Sequence, residues 1–269
     1  MRRLLTLTLV TVLLVVGIAL PQATGVSALG HSGSAPAKKV CTTKKVHGKK
    51  KKICHVVKAK PTPTPRPRCP DPEGGVCLGV LSAGTYQTVL FDPQLTYTVP
   101  DGWANYEDTN GSFLLVPPGY TLAGMNSGTS DYIGVDTSVA APNGCNPGTA
   151  PGVDETVSGI ASWIVSNPGL VTPQPQAVSV GGLQGVVLDV RMAKTWTGTC
   201  PYSNGMSLVP LITGVGTSSL DHSLIAGLAI RLYLLKGPLG TLAIEIVDVQ
   251  DAGHLDAYSK IVESFHFKT

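Results

Sequence analysis

Residues 229–248 read AIRLYLLKGPLGTLAIEIVD, two runs of alternating apolar residues on either side of a Gly-Pro-Leu-Gly segment. A period of two is typical of β-strands, and the Gly/Pro segment indicates a turn, so the sequence predicts a β-hairpin. If one apolar face is buried on both strands, two directly opposed residues must both have odd numbers or both have even numbers. Pairing Leu235 with Thr241 meets this condition. This register also places Arg231 opposite Glu245 as a favourable cross-strand pair. We therefore expect an antiparallel sheet with one buried face that needs a cover.

The remainder of residues 71–269 has the turn-rich pattern of a domain in which strands outnumber helices. Runs with a period of two, bounded by Gly, Pro, Asn or Asp, predict strands at 84–91, 95–99, 113–116, 131–140, 177–180, 184–192, 208–212 and 266–268. Apolar residues at helical spacing predict helices at 154–166 and 252–263. Together these elements indicate an α+β fold in which helices cover an antiparallel sheet of hairpins.

Three short segments of this domain resemble one group of known families. Residues 95–103 (LTYTVPDGW) resemble the opening strand of PsbP-like and Mog-type domains. Residues 180–188 (VGGLQGVVL) resemble their central hairpin, and 261–267 (IVESFHF) their closing helix and strand. The LpqN-like lipoproteins secreted by mycobacteria share this architecture. The resemblance implies a PsbP-like α+β sandwich over most of 84–269, but it implies no activity and transfers no functional residue.

The N-terminus has the three parts of a secretory signal peptide in residues 1–28. Arg2 and Arg3 form a positive n-region, residues 4–20 are apolar, and V-S-A at 26–28 offers small residues at a cleavage site. An uncleaved membrane anchor is the alternative, although the apolar run is near the short limit for spanning a bilayer. We predict a secreted, extracellular protein held at the cell surface or wall, in a compartment where disulfides persist.

Charge divides the remaining chain into a basic arm (residues 29–70) and an acidic domain (residues 71–269). The arm holds ten Lys, two Arg and no acidic residue, a charge of +12. The domain holds six basic and 17 acidic residues, a charge of −11. Small polar residues begin the arm, which predicts disorder there. Alternating prolines at 61–68 predict an extended spacer before the domain.

A stapled hairpin is predicted at 40–55, within the arm. If His47 and Gly48 form a two-residue loop, Cys41 lies directly opposite Cys54 as a non-hydrogen-bonded pair. The Cα atoms of such a pair are about 4.5 Å apart, a separation that a disulfide can bridge. A zinc site that also uses His47 and His55 is the competing interpretation, but the spacing matches no standard zinc pattern. Such basic tracts resemble stalk segments of secreted actinobacterial proteins.

The four other cysteines predict two further disulfides. Cys69 and Cys77 are close in sequence and would close a small loop at the end of the spacer. Cys145 and Cys200 remain, each in a long loop of the domain. Because six cysteines allow 15 connectivities, this full set is one choice among several.

The lysines of the arm form the candidate binding site. Its partner would be an anionic cell-wall polymer or a membrane surface, through attraction that weakens with salt. The arm has no aromatic residue to stack on bases, so specific readout of nucleic acid is not expected. A simple stalk, or an arm that docks on its own acidic domain, is the alternative. The residues nearest the predicted loop are Lys44, Lys45, Lys49, Lys50, Lys51 and Lys52.

The domain shows no motif that assigns a reaction or a cofactor. It has no G-x-S-x-G elbow, phosphate loop or dinucleotide fingerprint. The Asp221-His222 pair after Ser218 and Ser219 suggests a hydrolase only weakly, and a polar loop is the simpler interpretation. A Ca²⁺ site between Asp248 and Asp251 is a further alternative. We predict a non-enzymatic binding or structural module. The alternative is a secreted enzyme or small-ligand protein with a pocket between sheet and helices.

Overall fold

The computed structural model describes residues 38–46, 49–57, 78–215 and 220–268. The chain divides into two compact units, Met1–Thr64 and Pro65–Thr269. The predicted signal peptide, the proline-rich spacer and the predicted Cys69–Cys77 disulfide lie outside the described residues.

The first unit contains an antiparallel hairpin of β1 (Lys38–Val46) and β2 (Lys49–Val57). Val46 is opposite Lys49, as a two-residue loop requires, and Cys41 is opposite Cys54. The register predicted from the sequence is confirmed, while the disulfide between these two cysteines stays a prediction.

The second unit is strand-dominated, with 15 strands and three helices among its described residues. Its helices are α1 (Leu122–Asn126), α2 (Val157–Ser166) and α3 (Leu255–Val262). Its strands, in chain order, are β3 (Gly79–Val80), β4 (Gly84–Gln87), β5 (Leu95–Val99), β6 (Ala104–Asp108), β7 (Ser112–Val116), β8 (Tyr132–Asp136), β9 (Val139–Ala140), β10 (Leu170–Val171), β11 (Gln176–Val180), β12 (Leu183–Met192), β13 (Leu208–Gly214), β14 (Asp221–Ile225), β15 (Leu228–Gly237), β16 (Gly240–Val249) and β17 (His266–Phe267).

A nine-stranded antiparallel sheet forms the centre of this unit. Its strand order is β10-β12-β15-β16-β8-β7-β6-β3, and β11 also pairs with β12. The organising hairpin of the sequence, β15 and β16, lies in the middle of this sheet. The predicted hairpin around Gly181 and Gly182 is confirmed as β11 and β12, with Val180 opposite Leu183.

The register of the central hairpin differs from the prediction by one residue. Leu235 is opposite Leu242, and Gly237 is opposite Gly240, so the loop has two residues. The prediction is wrong because it assumed one buried face. Both faces of these strands are buried, so the position of the apolar residues no longer determines which register is correct. The turn determines the register instead.

This shift separates Arg231 from Glu245. Residues directly opposite share a face, and Arg231 is opposite Ile246 while Glu245 is opposite Leu232, so the two charges lie on different faces. Their predicted cross-strand pair is therefore absent. Arg231 instead forms a bidentate pair with Asp189 of β12, with distances of 2.7 and 2.9 Å.

Two hydrophobic cores lie on the two faces of the central sheet. On one face, β5, β17 and α3 contribute to a core that includes Tyr97, Phe113 and Phe265. On the other face, β13, β14 and α2 contribute to a core that includes Ile160 and Leu211. The α+β class is correct, but the cover differs from the prediction because two three-stranded sheets, β17-β5-β4 and β14-β13-β9, join the helices.

The predicted helices are confirmed with shorter bounds. In α2, Ile160, Ala161 and Ile164 are buried, which is the face that the spacing predicted. Its N-cap is Thr156, whose hydroxyl accepts the Gly159 N–H. Strand β14 was missed, because the sequence around Asp221-His222 was interpreted as a polar loop.

Candidate functional site

The lysine hairpin (residues 38–57) brings the predicted binding residues together at one end. Lys49 is opposite Val46, and Lys52 is opposite Thr43. Two pairs of lysines are directly opposite each other, Lys44 with Lys51 and Lys45 with Lys50. Like charges directly opposite in an antiparallel ladder are destabilising.

The predicted disulfide between Cys145 and Cys200 is present in the second unit, with a Cα–Cα distance of 5.4 Å. It joins the loop after β9 to the loop between β12 and β13. The second loop is anchored further by Trp196, whose indole N–H donates to the Leu208 carbonyl at 2.9 Å. Trp196 and the buried Trp103 both pack against a core, which agrees with the structural role expected for them.

A second candidate site lies where β14 crosses the central sheet. His222 of β14 contacts two residues of the sheet through its two ring nitrogens. Its Nδ1 forms an ion pair with Oε2 of Glu245 on β16, and its Nε2 is 2.7 Å from the hydroxyl of Tyr132 on β8. Asp136, at the end of β8, is also buried. We call these four residues the histidine cluster.

Gly134 provides the space for the histidine cluster. It is opposite Glu245 in the ladder and lies between Tyr132 and Asp136 on β8. A Cβ at this position would be 3.5 Å from the Tyr132 ring and 3.8 Å from the Asp136 carboxylate. An alanine would therefore touch both groups, and a larger residue would occupy the space in which the polar side chains meet.

Burial controls the protonation of the histidine cluster. Burial raises the pKa of Asp136 to about 7, and the nearby Glu245 carboxylate adds to the shift. For His222, burial opposes the charged form, but the Glu245 carboxylate outweighs it and raises the pKa above the usual value. Burial also raises the pKa of Tyr132 well above its usual range. These shifts favour the protonated forms of His222, Asp136 and Tyr132 relative to the same groups in water.

The hydrogen bonding of the histidine cluster is incomplete. Glu245 is 2% exposed, and its Oε1 has no hydrogen-bond partner among the described residues. Within the same part of the chain, the Tyr132 hydroxyl makes one hydrogen bond, that to His222. Buried polar groups are usually satisfied, so a buried cluster with spare hydrogen-bonding capacity beside a cleft is a functional-site candidate.

His222 lies between two clefts. One is a cavity of about 350 Å³ that Tyr132, His222 and Met206 help to line. The other has about 200 Å³, and its lining includes His222, Tyr202 and Cys145. Met206 and Tyr202 belong to the loop that the Cys145–Cys200 disulfide holds, and both are more than half exposed. The loop therefore brings apolar surface to the edge of the polar cluster.

A different network on the opposite face of the sheet is complete. Asp131 accepts the Val249 N–H at 2.8 Å and the Tyr258 hydroxyl at 2.9 Å, and it pairs with His254 at 2.8 Å. Asp248 accepts three backbone N–H groups, from residues 252, 253 and 254. We call Asp131, Asp248, His254 and Tyr258 the aspartate network.

The aspartate network is explained by structure rather than metal binding. Ligand atoms of Asp131, Asp248 and His254 lie within 4.8 Å of one another, but every carboxylate oxygen already accepts a protein hydrogen bond. The Ca²⁺ interpretation of Asp248 with Asp251 also fails, because Asp251 pairs with Arg191 at 2.7 Å instead. The network closes the loop between β16 and α3.

Sequence reasoning missed most of the histidine cluster. It named His222, but in a hydrolase hypothesis that paired it with Ser218 and Ser219, which lie outside the described residues. The partners of His222 are far away in sequence, on β8 and β16. The available signal was Glu245, a charged residue inside an otherwise apolar run. The wrong register paired this residue with Arg231.

Comparison with known proteins finds a weak likeness among solved structures. No protein-family model matches this chain, and no curated protein matches it. Among solved structures, the solution structure of the cyanobacterial PsbP protein CyanoP from Synechocystis sp. PCC 6803 is similar, with a TM-score of 0.32 and 11% identity. The match covers 72% of this chain and 98% of that protein. Within the described ranges, none of the helices has the length and hydropathy needed to cross a membrane.

Proposed function

We propose that this protein is a non-enzymatic binding module that the lysine hairpin holds to an anionic polymer or membrane at the cell surface. The observation that carries the proposal is the ladder register, which opposes Lys44 to Lys51 and Lys45 to Lys50. A hairpin concentrates these charges at one end, whereas an unstructured tract would spread them over its length. Bound anionic groups would offset the repulsion that the ladder creates.

The physics of this attraction fits a surface better than a specific sequence. Each basic residue near an anionic membrane contributes about 1 kcal/mol, so several lysines together give useful affinity without shape complementarity. The arm offers no aromatic residue for stacking on bases. The charge of −11 on residues 71–269 would be repelled by the same surface, so the contact falls to the arm. Secretion, which the signal peptide predicts, would place the protein beside such a surface.

The experiment compares two variants that lose the same charge. In the first, Lys44, Lys45, Lys50 and Lys51 are replaced by Gln. In the matched control, the exposed lysines of the other unit are replaced by Gln: Lys194, Lys236, Lys260 and Lys268. Binding to vesicles of phosphatidylglycerol and phosphatidylcholine, and to purified anionic wall polymer, is measured by sedimentation across a salt series.

We expect the hairpin variant to bind about 1000-fold more weakly at low salt, since four lysines at about 1 kcal/mol each are lost. The control should lose far less affinity, because it leaves the arm intact and only makes the repelled unit more acidic. Affinity should fall as added salt shortens the Debye length. Equal binding by the two variants would mean that the arm is only a stalk. Failure of the unsubstituted protein to bind either surface at low salt would also contradict the proposal, and would favour docking on its own acidic unit.

One observation favours the alternative, a secreted enzyme or small-ligand protein. The histidine cluster adjoins a cavity whose lining includes Met125 of α1, Tyr132 of the central sheet and Ile225 of β14. It belongs to the other unit of the chain and can coexist with surface binding.

A further inference from the structure

We propose that the cavity over Tyr132 and His222 binds a small uncharged molecule that has an apolar body and a carbonyl oxygen. The site is separate from the lysine hairpin and does not depend on surface binding. The inference rests on the shape and lining of the cavity, the spare hydrogen-bonding capacity of Tyr132 and the charges around it.

The lining of the cavity suits an apolar body. Met125, Met206 and Ile225 line it together with the polar Tyr132 and His222, and its volume is about 350 Å³. Methionine side chains adapt to irregular ligands because they are unbranched and polarisable. Small-molecule sites typically combine such apolar walls with a few convergent polar groups.

The donor in this site is the Tyr132 hydroxyl. The contact between Nδ1 of His222 and the Glu245 carboxylate requires a proton on Nδ1, because an ionised carboxylate only accepts. When His222 is also protonated on Nε2, the form that the Glu245 carboxylate favours, the ring is an imidazolium. Nε2 then donates to the Tyr132 oxygen across the 2.7 Å contact. The phenol proton is left to donate to an acceptor in the cavity.

The charges around this donor select an uncharged acceptor. Glu245 of β16, Asp136 of β8 and Asp221 of β14 all lie close to His222, and no Lys or Arg lines the cavity. These carboxyl groups oppose a ligand carboxylate, while an ammonium group has no lone pair with which to accept the phenol proton. A carbonyl oxygen accepts the phenol proton without either penalty.

The test uses three cyclohexyl probes that share an apolar ring and differ in charge. They are cyclohexanone, cyclohexanecarboxylate and cyclohexylamine, titrated into the full chain labelled with ¹³C at the methionine methyl groups. Met125 and Met206 line the cavity and report binding, whereas Met192 on β12 is outside it and serves as an internal control. We expect cyclohexanone to shift Met125 and Met206 saturably without shifting Met192.

Three comparisons decide the proposal. The charged probes should bind at least fivefold more weakly than cyclohexanone. Tyr132→Phe should weaken cyclohexanone about fivefold, the usual effect of one lost hydrogen bond. Met206→Ala should weaken all three probes, and it leaves the core intact because Met206 is more than half exposed. Absence of saturable shifts in the unsubstituted protein, tighter binding of a charged probe, or equal binding by a folded Tyr132→Phe variant would each overturn the proposal.

Discussion

Asp131 and Tyr132 are buried polar residues that are adjacent in sequence. They belong to two different networks, one with complete and one with incomplete hydrogen bonding. Asp131 belongs to the aspartate network on the α3 face of the sheet, where both carboxylate oxygens are satisfied. Tyr132 belongs to the histidine cluster on the α2 face, where one oxygen of Glu245 lacks a hydrogen-bond partner among the described residues. Alternation along a strand separates the two networks.

The two networks differ in whether their buried polar groups stabilise the fold or keep hydrogen-bonding capacity for a ligand. Each interaction of the aspartate network ties a loop or helix to the sheet, so its polar groups are used up in folding. The histidine cluster costs desolvation and leaves hydrogen-bonding capacity unused beside a cavity. Buried polar groups with incomplete hydrogen bonding lower the stability of a protein. They are common at functional sites.

The largest effect is expected from Asp248→Ala in the aspartate network. This change leaves three part-buried backbone N–H groups without their acceptor just before α3. Since each unsatisfied buried group costs about 1–3 kcal/mol, we expect a loss of about 4 kcal/mol in the free energy of unfolding. Urea denaturation followed by circular dichroism measures it. A loss below about 1 kcal/mol would show that the network is not structural.

The next effect comes from the disulfide that holds the loop beside the histidine cluster. Cys145 and Cys200 are 55 residues apart, and replacing both by Ser should lower the free energy of unfolding by about 3 kcal/mol. Because Met206 lies on the tethered loop, cyclohexanone should also shift its methyl group less. Equilibrium unfolding and the methyl titration test the two consequences separately. Unchanged stability together with unchanged shifts would mean that the loop is held without the disulfide.

Local patterns predicted much of the fold. The spacing of Ile160, Ala161 and Ile164 predicted the buried face of α2, and the Gly181-Gly182 turn predicted the β11–β12 hairpin. The assumption of a two-residue loop after Val46 was enough to predict the register of the lysine hairpin. These features depend on neighbours in sequence, so one sequence carries enough information to predict them.

The histidine cluster could not be predicted in the same way. Its register depends on whether one or both faces of β16 are buried, and that depends on strands far away in sequence. Once both faces are buried, Glu245 becomes a lone carboxylate in a core rather than the partner of Arg231. Its neighbours Tyr132 and His222 are 90 residues apart, and only the tertiary fold brings them together.

A smaller effect, of opposite sign, is expected from Asp136→Asn in the histidine cluster. In the unfolded chain this carboxyl group loses its proton near its usual pKa of 3.8, whereas in the folded protein burial raises the pKa to about 7. Folding therefore retains a proton that the unfolded chain releases. The free energy of unfolding falls as pH rises from about 4 to about 7 and stays low above it.

Asparagine does not titrate, so the Asp136→Asn variant lacks this decline. We expect it to be about 2 kcal/mol more stable than the unsubstituted protein at pH 8, less than full linkage because the contact with Ser112 changes. The gain should be smaller at pH 5. Urea unfolding of both proteins at these two pH values measures the difference. A gain that is equal at both values, or a loss at pH 8, would contradict the raised pKa of Asp136.

The smallest effect is expected from Arg191 and Asp251, which lie beside the aspartate network but outside it. The two side chains form a bidentate pair with distances of 3.0 and 2.7 Å, yet they are 43% and 49% exposed. Exposed pairs contribute about 0–1 kcal/mol because water and salt screen them, so Asp251→Ala should cost less than about 1 kcal/mol. The cost should shrink further in 1 M NaCl, whereas that of Asp248→Ala should persist because the Asp248 carboxylate is buried and hydrogen-bonded to the backbone. Parallel urea titrations at two salt concentrations compare the two variants. If Asp251→Ala lowered the free energy of unfolding as much as Asp248→Ala, the loop would depend on the exposed Arg191–Asp251 pair. Burial would then not be what separates the charged residues that stabilise this fold from those that do not.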